Sequence, residues 1–247
     1  MQWSDEGIIL GARKFGENKA IITIFTKNNG KQQGLFRTNK SNKAYIQPGT
    51  KAKVTWYARL SEQLGTWTIE PIAINCSSIM SNQAKLCSLT SICHVLSHCL
   101  AEAEDHSELF QEFELYIKKI ISRNEWITQH IRFEIAILRE LGYGLDFSCC
   151  AATGQTDDLI YVSPRTGRAV SKTAGAPYID RLLHLPQFLI NIKSAESDIV
   201  SGLNLTKYFI EKHLLSHASQ ALPSERLRLE RFFAAPASLA NTDFAGI

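Results

Sequence analysis

The sequence predicts an α+β protein of two domains, a small N-terminal β-barrel followed by a helical bundle that carries an irregular inserted loop. Three observations predict it. Up to Asn75 the chain falls into short segments rich in Ile, Val, Thr and aromatic residues, set apart by turn residues. After Asn75 the apolar residues recur at helical spacing. The charge divides near the same place: residues 1–80 hold 11 Lys/Arg against 5 Asp/Glu, while the rest of the chain is net acidic. A length of 247 residues, 45% hydrophobic and 21% charged, suits one or two globular domains and excludes wholesale disorder.

Strands are expected over 7–14, 20–27, 30–38, 51–59 and 66–75. Asn28-Asn29-Gly30 is a hairpin signal, because Asn and Gly tolerate positive φ. Pro48-Gly49 and Leu64-Gly65 punctuate the later segments. Five strands in this length suit a Greek-key barrel of the OB type. An SH3-like barrel fits the count almost as well. Helices follow on the apolar rows Leu86/Leu89/Cys93/Leu96/Leu100, Phe110/Phe113/Ile117/Ile120 and Ile131/Ile135/Leu138/Leu141, with Gly142 as a stop. Further helices are expected over 177–189, 203–218 and 224–233, the last with Pro223 before it. Between them lies a loop with a short strand over 159–162. The domains are therefore 1–78 for the barrel and 79–234 for the helices, with the inserted loop at 143–176 and a flexible tail at 235–247.

The N-terminus, MQWSDEGIIL, has acids where a secretory signal needs positive charge, and no apolar run approaches the roughly 20 residues that span a bilayer. A cytoplasmic protein is expected. The six cysteines include no C-x-x-C pair and read as reduced thiols. Enzyme signatures fail: there is no G-x-x-x-x-G-K-[ST], G-x-S-x-G or H-E-x-x-H. Gly142-Tyr143-Gly144 follows a helix and reads as its terminating turn. His94/His98 and His213/His217 each put two rings on one helical face at i, i+4, where a metal could bridge them, but no third ligand is identifiable. Asp157-Asp158 read as loop acids. Neither catalytic residues nor a cofactor nor a metal is expected.

The basic run is the feature with a task. From Lys27 to Arg59 there are eight cations and no acid. A single-strand binder needs cations for phosphates and flat faces for bases, and Phe36, Tyr45, Trp56 and Tyr57 are interleaved here. Strand alternation puts Lys51, Lys53, Thr55, Tyr57 and Arg59 on one face, and Val54, Trp56 and Ala58 on the other, where Trp56 reads as core. With Lys31, Arg37, Lys40 and Lys43, those cations and Tyr57 form the candidate polyanion track. Phe36 and Tyr45 suit either face.

These residues resemble the RecO family of bacterial recombination mediators. Trp3, Asp5-Glu6-Gly7-Ile8-Ile9-Leu10, Gly16-Glu17, Ile24-Phe25-Thr26, Gly30 and Gln47-Pro48-Gly49 are similar to its opening, and Arg37, Lys40 and Lys43 match its cations. Arg132-Phe133-Glu134, Leu141-Gly142-Tyr143-Gly144 and Cys150 resemble its central helix and the loop after it. The likeness runs from residue 3 to about residue 230. It implies an OB-fold joined to a helical domain, binding of single- and double-stranded DNA, annealing of complementary strands, and cooperation with RecR in loading RecA onto single strands coated by SSB. RecF is a further candidate partner. The acidic C-terminal tail of SSB would need an apolar pocket and a cation, for which Arg132, Arg139 and Ile135 are the candidates. Many family members carry a four-cysteine zinc site after the central helix. Here Cys150 keeps one cysteine while Thr153, Ser171 and Ala174 stand at the other positions, so a metal-free loop is expected.

An RNA-binding barrel protein of translation or RNA processing is the alternative, since nothing in the sequence reads a 2′-hydroxyl. A metal-dependent hydrolase built on the histidine pairs would need a third ligand near His94/His98. A membrane-surface role lacks a basic amphipathic helix.

Overall fold

A computed structural model describes residues 1–60, 63–122, 126–190, 196–216 and 221–234. Five strands come first: β1 (Gln2–Lys14), β2 (Lys19–Thr26), β3 (Gly30–Arg37), β4 (Thr50–Tyr57) and β5 (Gly65–Ile74). They close into a barrel in the order β1-β2-β3-β5-β4, with β1 pairing both β2 and β4. The closing seam is the parallel pairing of β3 with β5, at Gly34 against Gly65. That order makes the barrel OB-like and settles what strand count left open. Both seam residues must be glycine. A Cβ on Gly34 would come within 2.8 Å of the Trp67 ring, and one on Gly65 within 2.1 Å of Trp56. The two indoles sit in the barrel core and donate from Nε1 to backbone carbonyls, Trp56 to Gln33 and Trp67 to Ile22, at 3.0 Å each. Their N–H groups are thereby satisfied despite burial.

β1 begins five residues before the expected strand. Its first residues, QWSDE, lack a clean apolar rhythm because Asp5 has a local task. Asp5 accepts from the Asn28 N–H and both Asn28 and Asn29 side-chain amides at 2.8–2.9 Å, which fastens the Asn28-Asn29-Gly30 turn. The unalternating run Gly7-Ile8-Ile9-Leu10 is buried throughout, because the two faces of β1 meet two different cores. Ile9, Ile22 and Ile24 fill the barrel, whereas Ile8, Leu10 and Phe25 join the helical core. Phe25 packs edge-on against Phe110, 5.4 Å between centroids. Hence the expected boundary at residue 78 is a seam inside shared packing, and it falls within the short helix α1 (Asn75–Ile79).

Three long helices follow: α2 (Gln83–Cys99), α3 (Ser107–Ile121) and α4 (Trp126–Glu140). Asn82 caps α2 by accepting from Lys85 N. Phe133 of α4 stacks on Phe113 and Tyr116 of α3, which fixes that helix pair. Later come α6 (Glu196–Phe209), continued by a wider π-type turn at Ile210–Leu215, and α7 (Ser224–Ala234).

The inserted loop is more regular than its composition suggests. β6 (Leu159–Val162) is central in a three-stranded antiparallel sheet between β7 (Ala169–Ser171) and β8 (Leu183–His184), with α5 (Lys172–Gly175) following β7. The helix expected over 177–189 is not formed. Two 3-10 turns, Ala176–Arg181 and Gln187–Leu189, flank β8 instead. Pro186 disfavours helical geometry at Leu185, and Leu185 donates its N–H to Ile160 O in the sheet. The expected tail at 235–247, and His217, lie outside the described residues.

Candidate nucleic-acid interface

The Asn/Ser/Thr-rich segment after β3 is a scaffold for its cations. Asn39 Oδ1 accepts from Asn42 N at 2.9 Å, and Asn42 Oδ1 accepts from Asn39 N at 2.8 Å. Asn42 also donates from its side chain to Arg37 O, and Ser41 Oγ donates to Asn39 Oδ1. These short polar side chains satisfy one another and the loop backbone. Lys40 and Lys43 are left pointing outward, exposed.

The same end of the barrel holds three cations that the sequence reading did not select. β2 pairs with β3, which places Lys19 directly across from Arg37. Arg13 and Lys14 end β1 beside them, opposite Ile21 and Ala20 of β2, and Asn18 O accepts from Thr38 N to tie the β1–β2 turn to the loop after β3. Arg13, Lys14, Lys19, Arg37, Lys40 and Lys43 are all exposed, and none has an ion-pair partner among the described residues. Directly opposed like charges destabilise a strand pair by a few tenths of a kcal/mol or more. The Lys19/Arg37 pair therefore holds unfavourable charge that a bound polyanion would relieve. The signal was available: a hairpin through Asn28-Asn29-Gly30 brings Lys19 at the start of β2 alongside the end of β3, and the short connection from β1 to β2 sets Arg13 and Lys14 beside it.

The β4 part of the expected track is different, because neighbouring elements supply the acids that its own sequence lacks. Lys51 Nζ lies 2.8 Å from Glu6 of β1 and 2.6 Å from Glu114 of α3. Hydrogen bonds to Glu114 and Glu6 raise its pKa, and the bond from Lys51 lowers that of Glu6. Lys53 sits in register with Glu6 on one side and Glu70 on the other. Lys31 is a clear correction: it is only 6% exposed, with its ammonium donating to Ser97 O in α2 at 2.9 Å. Burial pushes its pKa down, with Glu102 opposing. Lys31 and Lys51 are clasps between barrel and helices. Arg59 and Tyr57 remain exposed near the β4–β5 connection, Tyr57 at 55%. Trp56 and Phe36 are core, and Tyr45 packs partly buried against the same cluster.

An expected result follows for Lys51→Ala. Losing a half-exposed pair with two carboxylates removes about 1 kcal/mol, or a few degrees of Tm. Oligonucleotide affinity measured by fluorescence anisotropy should stay within about twofold of the parent. A tenfold loss would return Lys51 to the interface.

The residues considered for an acidic tail turn to different neighbours. Arg132 donates to Phe188 O and lies over the Phe188 ring, while Arg139 pairs with Glu112 of α3. Ile135 is partly buried against the cluster of Ile131, Phe188 and Leu203. Arg132 and Ile135 thus lie near one apolar cluster, and Arg139 belongs to another contact.

In the inserted loop the donor set does not fit zinc. Cys150 is buried and its Sγ accepts from Ser171 N at 3.3 Å, while Cys149 Sγ accepts from Arg168. Burial opposes ionisation of Cys150, yet the Ser171 and Thr153 side chains and the Ser171 and Ala152 N–H groups outweigh it and draw the thiol down to about 6. One thiolate with two hydroxyls cannot make the tetrahedral nitrogen or sulfur set that structural zinc takes. Among the described residues no group of three or more His, Cys, Asp and Glu is placed to hold a metal. His94 and His98 stack on each other, 4.2 Å between centroids, and Asp157 and Asp158 are exposed loop residues. No helix among the described residues is long and apolar enough to cross a membrane.

The model for the Recombination protein O N terminal region matches residues 1–74, and that for the Recombination protein O C terminal region matches residues 80–221. The DNA repair protein RecO of Methylocella silvestris is 41% identical over 232 residues, 92% of this chain and 93% of its own length. Its counterpart in Caulobacter vibrioides (strain NA1000 / CB15N) is 39% identical over 233 residues, 93% of this chain and 96% of its own. That of Rhodospirillum centenum is 39% identical over 233 residues, covering 92% of this chain and 93% of its own.

Proposed function

The chain belongs to the recombination protein O family of DNA repair proteins, and from that premise we propose that it is a non-enzymatic mediator that binds single- and double-stranded DNA and anneals complementary strands. With RecR it would help load RecA onto single strands coated by SSB, RecF being a further partner, in the bacterial cytoplasm and at the nucleoid during repair. The observation that carries the reading is the set of six exposed cations at one end of the barrel, without ion-pair partners among the described residues, two of them forced into a like-charged cross-strand pair. Annealing makes and breaks no covalent bond. It needs two repelling backbones neutralised while bases stay free to pair, and mobile Lys and Arg side chains on an open barrel end can do that. Docking of the SSB tail would draw on Arg132 and Ile135, where a cation adjoins an apolar cluster.

The test is annealing of complementary oligonucleotides coated with SSB, using intact SSB and SSB lacking its tail. Annealing should accelerate with intact SSB and slow once the tail is gone. If all six cations touch phosphates, the log–log salt slope of single-strand binding should be near −4. Rates equal to those of the oligonucleotides alone at every salt concentration would contradict the proposal.

A further inference from the structure

Beside the cationic end, the barrel and α2 enclose a cleft of ≈ 500 Å³. One wall is the outer surface of β1, β2 and β3, with Arg13, Ile21 and Gln33; the other is α2, with His94 and His98. The volume falls in the range of small-ligand pockets and would take a nucleotide. Three features define what fits. Arg13 is a cation without a carboxylate partner among the described residues, and through its pairing with Ile21 it shares the outer face of the β1–β2 ladder with Lys19. The two imidazoles stack face to face, 17° from parallel, so each covers one face of the other and leaves its outward face and its edges to the cleft, on an otherwise apolar and hydroxyl-lined wall. His98 Nδ1 donates to His94 O at 2.8 Å, which holds the His98 ring in place and leaves its Nε2 free of that bond. Burial and the neighbouring imidazole lower the His94 pKa, with Glu225 of α7 opposing from the cleft rim, which favours the uncharged ring.

We propose that this cleft seats one unpaired nucleotide of a bound single DNA strand, its phosphate on Arg13 and its base against the His94/His98 stack. The proposal rests on the reading of the barrel end as a single-strand site, and adds a place where the strand leaves the barrel for the helical half. An acidic peptide fits less well, because among the described residues Arg13 is the one Lys or Arg lining the cleft, and Glu225 lines it too. A base needs a flat face and hydrogen-bonding edges, which the histidines and Gln33 supply. A single strand held there would be bent away from its neighbours, with one base unstacked.

The experiment uses the full chain and 15-residue oligothymidylates carrying a single 2-aminopurine, moved along the strand from one oligonucleotide to the next. At one position the fluorescence should be quenched on binding. His94→Ala/His98→Ala should abolish that quenching and weaken binding by roughly tenfold, the effect of losing one base–aromatic stack. His94→Phe/His98→Phe should restore both. Quenching and affinity unchanged in the alanine variant would overturn the cleft while leaving single-strand binding by the barrel end intact. If the parent protein fails to bind the oligonucleotides at all, the functional reading falls with it. A poly-glutamate peptide whose binding is lost in the alanine variant, with oligonucleotide binding untouched, would overturn the proposal in favour of a protein partner.

Discussion

Arg226→Met is expected to destabilise the protein by about 3–5 kcal/mol, the usual result of leaving one member of a buried charge set alone. Arg226 on α7 is 0% exposed. Its Nε lies 2.6 Å and its Nη2 3.1 Å from the two oxygens of Glu134 on α4. Nη2 also donates to Leu203 O and Thr206 Oγ1 on α6, and Nη1 to Glu230. One guanidinium therefore ties α4, α6 and α7 together, and Arg226→Lys should fail almost as badly because an ammonium cannot make the fork. For a chain of this size the fall in Tm by calorimetry should be roughly 10 °C. The double change Glu134→Gln/Arg226→Met should lose less than the two single changes together. A fall below about 2 °C for Arg226→Met would mean the cluster is not a clasp.

The same cluster sets an acid limit. Burial opposes ionisation of Glu134, but Arg226 and His130 outweigh it and hold the carboxyl well below the usual carboxylate range. His130 is fully buried, and burial lowers its pKa; Nδ1 contacts Ser88 Oγ at 2.9 Å, while Nε2 lies 3.1 Å from Glu134 Oε1 without the alignment of a hydrogen bond. Both depressions have the same sign. The unfolded chain binds the protons more readily, so stability is present above the unfolded values and is lost as pH falls. Tm should drop first below about 6.5 as His130 takes a proton on unfolding, then again below about 4.3 as Glu134 does. His130→Gln should flatten only the first of these steps.

Arg37→Ala/Lys40→Ala/Lys43→Ala is expected to weaken single-strand binding by roughly a hundredfold at 0.1 M salt. Each phosphate contact on a single strand contributes about 0.7 to the salt slope, so three contacts flatten it by about two. The loss should be the same for every base composition, because phosphate contacts carry no sequence information. Folding should be untouched, since all three side chains are exposed and unpaired among the described residues. Titrations at several salt concentrations check both numbers. A salt slope unchanged in the triple variant would show that the polyanion sits elsewhere.

Much of the barrel was legible because strand formation is written locally. Alternation, the Asn28-Asn29-Gly30 turn and the Gly65 break mark four strands within a residue or two, and the apolar rows mark α2, α3 and α4. The segment over 177–189 was misread because its apolar spacing suits a helix, while its prolines and the hydrogen-bond demand of β6 select a strand between short turns. The cations were legible as a class and not as individuals. Nothing near Lys31 in the chain announces Ser97, and nothing near Lys51 announces Glu114.

What the chain by itself determined is the set of elements and the presence of excess positive charge in its first third, because backbone pairing and hydrophobic period act between near neighbours. Only the tertiary structure decided which cations are free. It buried Lys31, paired Lys51, set Lys53 between Glu6 and Glu70, and gathered Arg13, Lys14 and Lys19 beside Arg37. It also joined Glu134 to Arg226 across 92 positions. The physical reason is that charges interact through space, at distances of a few ångströms that bear no relation to separation along the chain.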